Sequence, residues 1–218
     1  TKLDEQRSKL ALQFGDELLE SAVSEARKTG LEAVESIHRH GDIVEALIEL
    51  ESEARLIVIG RKGLGHDNEF KAIGSHLETL LRKVSQPVVI VPEEFSAPSS
   101  FMIAYDGRES ADRALQKVLG GGLLHGIDCH LVAIKNNEPD LKAKFNNAAA
   151  RLVERGLNVT TAFLEGNINE ELVKYQVANN IDLLVMGAFG HSRLRQLFVG
   201  SNTLKMLETV DIPLVVLR

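Results

Sequence analysis

The chain has 218 residues, 44% of them hydrophobic, a net charge of −6 and a pI near 5.7. That is enough apolar material for one large or two small globular domains. The acidic balance, with no basic stripe interleaved with aromatics, argues against nucleic acid as the main partner. No apolar run approaches the roughly 18 residues of a membrane span.

In chain order, residues 1–29 carry a helical period, with Leu10, Phe14, Leu18, Leu19 and Val23 spaced for one buried stripe and Gly30 as C-terminal cap. Residues 31–38 read as a strand. Gly41 and Asp42 open a helix over 43–54, with Asp42 as N-cap. A buried strand at 56–59, a loop over 60–73, a helix to 84 and a strand at 88–91 follow. The stretch 93–100, EEFSAPSS, is a Pro/Ser linker. A strand over 101–105 ends at Asp106-Gly107, and Ser110 caps a helix through 119. Then come a strand at 129–134, a helix at 141–155, a strand at 159–164 and a helix at 169–177. Strand, glycine loop, helix and strand fill 181–217. This alternation is the signature of βαβ units and a parallel sheet.

The opening residues 1–10 are polar and lack a secretory pattern. Cys129, the single cysteine, allows no internal disulfide and fits a reduced, cytoplasmic compartment. It stands in an apolar run and reads as buried and inert. The seven histidines show no metal-ligand spacing.

The chain repeats itself. RLIVIGRKG (55–63) overlays DLLVMGAFG (182–190), and GSHLETLLRKVSQPVVIVP (74–92) overlays GSNTLKMLETVDIPLVVLR (200–218). Residues 31–42 likewise resemble 157–167. The halves divide as 1–95 and 96–218. The second copy has five strands and the first has three. The 36 positions 101–136 have no counterpart ahead of the first copy, so the natural chain is expected to carry a further N-terminal piece. A parallel sheet without its central strands would leave ladder groups unpaired.

The chemistry concentrates at 181–218. An apolar run ends at Gly187, Gly190 follows, and Gly200 comes after nine intervening residues, with Ser201, Asn202 and Thr203 next. Glycine lets the backbone approach a ligand. The amides of residues 201–203 would lie in the first turn of a helix, without intrahelical partners and at the positive end of its dipole, which suits a phosphate. The alternative is a strand-end turn followed by an ordinary helix N-cap.

With Asp106 in AYDGRESADRAL, the G-x2-G-x9-G-S spacing resembles the universal stress protein family, and the duplication resembles its two-domain members. Arg108 stands where that family more often has a small residue. The resemblance implies an α/β architecture: two flavodoxin-like (Rossmann-like) doubly wound parallel sheets in tandem, the first without its N-terminal strands. It implies the strand order 3-2-1-4-5, which sets Asp106 and Gly187 across the switch point. It further implies binding of ATP or a related adenine nucleotide, with or without Mg. Asp106 would contact the adenosine part, Ile134 the adenine, and Met186 the base or ribose. Gly187, Gly190, Gly200, Ser201, Asn202 and Thr203 would hold the phosphates. His191 and Arg193 either add positive charge or sit in a solvated loop. In the first copy Asp67 and Glu69 would repel phosphate, so Gly60, Gly63, Gly74 and Ser75 are expected to shape a loop.

No Asp or Glu falls between Gly187 and Thr203, which leaves no general base and at most a slow ATPase. The expected role is a cytoplasmic stress-response sensor or regulator. A non-nucleotide interaction module acting through dimerisation is the alternative. The resemblance also implies that the last strands, 88–91 and 214–217, pair with each other, which would cover two apolar edges, and a homodimer is an open option.

Overall fold

The computed structural model describes residues 2–61, 70–122, 124–187 and 201–218. In order, its elements are α1 (Lys2–Lys28), α2 (Ile43–Leu50), a 3-10 turn (Glu51–Glu53), β1 (Ile57–Gly60), α3 (Phe70–Lys83), β2 (Val88–Val91) and β3 (Ser100–Ala104). They continue with α4 (Glu109–Gly121), β4 (Asp128–Ile134), α5 (Leu141–Glu154), β5 (Val159–Leu164), α6 (Ile168–Ala178), β6 (Leu184–Gly187), α7 (Ser201–Thr209) and β7 (Leu214–Leu217).

Seven short apolar runs form one sheet in the order β1-β2-β7-β6-β3-β4-β5. Within the second copy this is the 3-2-1-4-5 order, all parallel: Ala104 of β3 stands between Val132 of β4 and Met186 of β6. The two copies meet at β2 and β7, which run antiparallel with Val89 opposite Val215. Alternation along the strands divides the core. Phe101, Ile103, Cys129, Leu131 and Val185 pack with Ala114 and Leu115 of α4 and Phe145 and Leu152 of α5. The intervening positions Met102, Val132, Leu184 and Met186 are buried on the opposite face. There α6 packs on β4 and against α7. Helices on both faces make the sheet doubly wound.

Two arginines bind across the β2–β7 seam. Arg61, 8% exposed, reaches Asp211 at 3.5 Å and donates to the Ile212 carbonyl at 3.1 Å. Burial lowers its pKa, and Asp211 opposes that shift. Arg218 donates to the carbonyls of Arg82 and Val84 at the end of α3, where the helix dipole favours a cation. The linker is pinned by Asp182, whose carboxylate accepts from the Ser99 hydroxyl at 2.6 Å and amide at 3.0 Å, and from the Ser100 amide at 3.2 Å. These bonds, the Ser99 hydroxyl first, hold its carboxyl below the usual range against a smaller opposing effect of burial.

The chain divides into two compact units, Thr1–Ala46 and Leu47–Arg218. In the first, the helix and its Gly30 stop agree with the sequence, Gly30 taking φ +91°. The stripe is not buried: Leu10 and Phe14 are 65% and 66% exposed. Residues 31–38 form no strand either. An extended segment becomes a strand only beside a ladder partner. The matching β5 has β4 to pair with, and among the described residues no strand pairs with 31–38. The first copy therefore contributes two strands, not three. Asp42 caps α2 as expected, accepting from the amides of Val44 and Glu45.

Two boundaries differ. The helix expected to begin at Gly74 begins at Phe70, so Gly74 and Ser75 lie within α3. Ser110 does not cap α4. Arg108 holds the N-cap position in an extended conformation without a side-chain cap bond, and Ser110 is buried inside the first turn. Among the described residues no helix is long and apolar enough to cross a membrane.

Candidate functional site

Parallel register brings the carboxyl ends of β3, β4 and β6 to one edge of the sheet. Ala104 pairs with both Val132 and Met186, so two residues further along β3 is Asp106, and two residues further along β4 is Ile134. Gly187 closes β6 one residue past Met186. The strand order reverses between β3 and β6, which is where ligands settle in open α/β sheets. Asp106, Ile134, Met186 and Gly187 are thus gathered at one end of the sheet. Ile134 and Met186 are buried, at 5% and 7% exposure.

Gly187 is required by packing. A Cβ there would lie 2.7 Å from the backbone carbonyl carbon and oxygen of Ser110 and 2.9 Å from the Ala111 amide nitrogen. Its bareness lets the first turn of α4 approach the end of β6. Gly107 is required by conformation, with φ +78°. A Cβ there would also lie 2.7 Å from Leu141 Cδ1.

Asp106 turns the chain into α4. Its Oδ1 accepts the Arg108 amide at 3.0 Å, and its Oδ2 faces the Arg108 guanidinium at 3.4 Å. Asn136 Nδ2 donates to the Asp106 carbonyl at 3.2 Å, and Asn136 Oδ1 accepts the Glu138 amide at 2.7 Å. Arg108 Nε lies 3.8 Å from Glu138. Lys144 Nζ bonds Glu138 at 2.6 Å and the Gly107 carbonyl at 3.2 Å. The Glu138 hydrogen bond raises the Lys144 pKa, so that charge persists across neutral pH. Below them the Tyr105 hydroxyl donates to Asp112 at 2.7 Å. Burial, then Asp112, pushes the phenol well above its ordinary value, which makes Tyr105 a structural donor.

Of the residues singled out in the sequence, the fold brings Asp106, Ile134, Met186 and Gly187 to one end of the sheet; Asn136, Glu138 and Lys144, which the sequence reading did not single out, join the hydrogen bonds around Asp106 and Gly107. The polar run NNEPD, which begins two residues past the end of β4, was the available signal, since ligands settle outside strand carboxyl ends in such sheets. Ser201 opens α7, with Asn202 and Thr203 in its first turn as expected. Thr203 is buried at 4% exposure. Gly190, His191, Arg193 and Gly200 lie outside the described residues, as does Gly63. Among the described residues no group of three or more His, Cys, Asp or Glu gathers as a metal site.

The large apolar trough of the second unit, about 1080 Å³, lies elsewhere, over the β2–β7 seam. Val89, Val215, Phe95, Val118 and Leu124 help to line it. Beside it β1 forms an edge of the sheet, with Val58 60% exposed.

The family model of the universal stress protein family matches residues 2–92 and 130–218. Universal stress protein Slr1230 of Synechocystis sp. is 32% identical over 219 residues, spanning 100% of this chain and 74% of that protein. Universal stress protein MJ0577 of Methanocaldococcus jannaschii is 27% identical over 116 residues, spanning 52% of this chain and 72% of that protein. A solved universal stress protein from Archaeoglobus fulgidus superposes with a TM-score of 0.73 at 18% identity, covering 99% of this chain and 78% of the other, a likeness of fold.

Proposed function

Because this chain belongs to the universal stress protein family, we propose that its second copy binds ATP or a related adenine nucleotide and acts as a nucleotide-responsive regulator in the stress response. The observation that supports this is the meeting of Asp106, Ile134, Met186 and Gly187 at the point where the strand order reverses. Ile134 and Met186 supply an apolar seat for the base. Asp106 offers a carboxylate to the adenosine hydroxyls. Gly187, with Gly190, Gly200 and the amides of Ser201, Asn202 and Thr203, receives the phosphates, the last three as unpaired donors of a helix start. His191, which follows Gly190 in the sequence, adds charge to this stretch in the same reading. Any Mg would arrive on the phosphates, which are its usual ligands in nucleotide sites. No carboxylate interrupts the stretch from Gly187 to Thr203, so binding, not turnover, is the output.

In this reading β2 and β7 join the halves 1–95 and 96–218, in a cytoplasmic setting that suits the thiol of Cys129. Methyl NMR tests the reading: ATP should shift the resonances of Met186 and Ile134 and leave Leu152, buried against the sheet, unmoved. No shift at either methyl at millimolar ATP would remove it.

A second reading rests on the trough and the β1 edge. An apolar concavity beside an edge strand of the described sheet fits a module that works by association, including homodimerisation. Sedimentation that shows one chain at every concentration would remove that reading.

A further inference from the structure

The register of β3 with β4 runs to Ala104 opposite Val132, and the Tyr105 amide donates once more, to the Val132 carbonyl at 2.8 Å. Asp106 lies one residue past that bond. The next two carbonyls are held by side chains from beyond the end of β4. Asn136 Nδ2 donates to the Asp106 carbonyl at 3.2 Å, and Lys144 Nζ donates to the Gly107 carbonyl at 3.2 Å. Asn136 is itself fixed, because its Oδ1 accepts the Glu138 amide at 2.7 Å. Its side chain thus joins two turns, the one that carries Asp106 and the one that leaves β4 beyond Ile134. We propose that Asn136 is a positioning residue for Asp106. It fixes the Asp106 turn relative to the base seat at Ile134, so that the site reads the ribose hydroxyls and selects ribonucleotides over their 2′,3′-dideoxy forms. This rests on the nucleotide reading above.

The bridge acts through geometry. A hydroxyl bonds a carboxylate only within about 3 Å and near its preferred angle, so a small drift of the turn breaks that bond. Apolar burial is non-directional, so the same drift leaves a base seat nearly as good. Asn136 grips the Asp106 main chain and leaves the carboxylate free of its own contact. At that carboxylate Oδ1 accepts the Arg108 amide at 3.0 Å, and Oδ2 lies 3.4 Å from the Arg108 guanidinium. A carboxylate has about four acceptor positions, so capacity for ligand hydroxyls remains. Lys144 adds a second restraint from the same side, since it also bonds Glu138 at 2.6 Å.

The test compares ATP with 2′,3′-dideoxy-ATP by calorimetry on the full chain, on Asn136→Ala and on Asn136→Asp, with thermal melts to confirm folding. Asn136→Asp keeps an acceptor for the Glu138 amide and loses the donor to the Asp106 carbonyl, so it cuts the bridge and spares the β4 turn. The readout is the ratio of the two affinities, in which the charge added by Asn136→Asp cancels. The unaltered chain should prefer ATP about tenfold, and both variants should lower that preference about fivefold, by weakening ATP and leaving the dideoxy form within about twofold. In an Asp106→Ala background the ratio should sit near one, and Asn136→Ala should not move it further. A purely structural role would weaken both ligands alike and leave the ratio unchanged. That result, or an Asn136→Asp ratio equal to that of the unaltered chain, would overturn the role of Asn136 while leaving nucleotide binding intact. If ATP does not bind the unaltered chain, the nucleotide reading and this inference fall together.

Discussion

Residues 31–37 and 157–163 carry the same pattern and end in different states. In the second copy the segment is a strand, laddered to β4 from Cys129–Val159 to Ile134–Leu164. In the first copy it is irregular, and Ile37 is 53% exposed. The local sequence permits a strand in both places, and only the neighbour decides. The same lesson holds for the helices before them. Leu152 of α5 is buried beneath the sheet, whereas the apolar stripe of α1 stays open at Leu10 and Phe14. Pattern proposes an element, and partners supply the free energy that fixes it.

The contrast can be broken most severely at the seam between strand and helix. Gly187→Val drives a branched side chain into the Ser110 backbone, which cannot give way as a flexible side chain would. Denaturant unfolding should show a loss of about 3 kcal/mol, together with loss of ATP binding. Next come the matched positions Phe163 and Ile37. Phe163 stacks edge-on against Phe145 at 5.6 Å, so Phe163→Ala should cost about 2 kcal/mol. Ile37→Ala should stay within about 0.5 kcal/mol. Equal costs would mean that the first copy buries this segment after all.

Asp182 sharpens the comparison through pH. Its carboxyl is depressed in the fold, so its contribution is complete above the unfolded carboxylate pKa of about 4 and is lost as pH falls through the lower folded value. Asp182→Ala should cost about 1 kcal/mol at neutral pH and flatten the acid limb of the stability curve. The smallest effect belongs to the β1 edge. Val58→Lys should change stability by less than about 0.5 kcal/mol and reduce any self-association seen by sedimentation at high concentration.

Much of this was legible because it is periodic. The strands 88–91, 159–164 and 214–217 were read with the bounds they have. The strand order followed once the glycine spacing had identified the family, and with it the meeting of Asp106 and Gly187. The start of α3 was not legible. Gly74 and Ser75 align in sequence with Gly200 and Ser201, the latter opening α7, yet a glycine inside a helix costs only about 1 kcal/mol, so it cannot mark a boundary by itself. Nor was the ion network legible. Arg108 is separated from Glu138 and Lys144 by α4 and β4, and the pairing of β3 with β4 brings them together. The reason for Gly187 was half visible: the need for a bare backbone could be read, but the neighbour that demands it is Ser110 in another element.

The central claim is one adenine-nucleotide site per chain, in the second copy. Calorimetric titration of ATP into the chain and into Asp106→Ala tests it most directly. The account predicts saturable heat at one ATP per chain and an affinity at least about tenfold weaker in the variant. No heat at millimolar ATP from a folded chain, or an affinity that Asp106→Ala leaves unchanged, would contradict it.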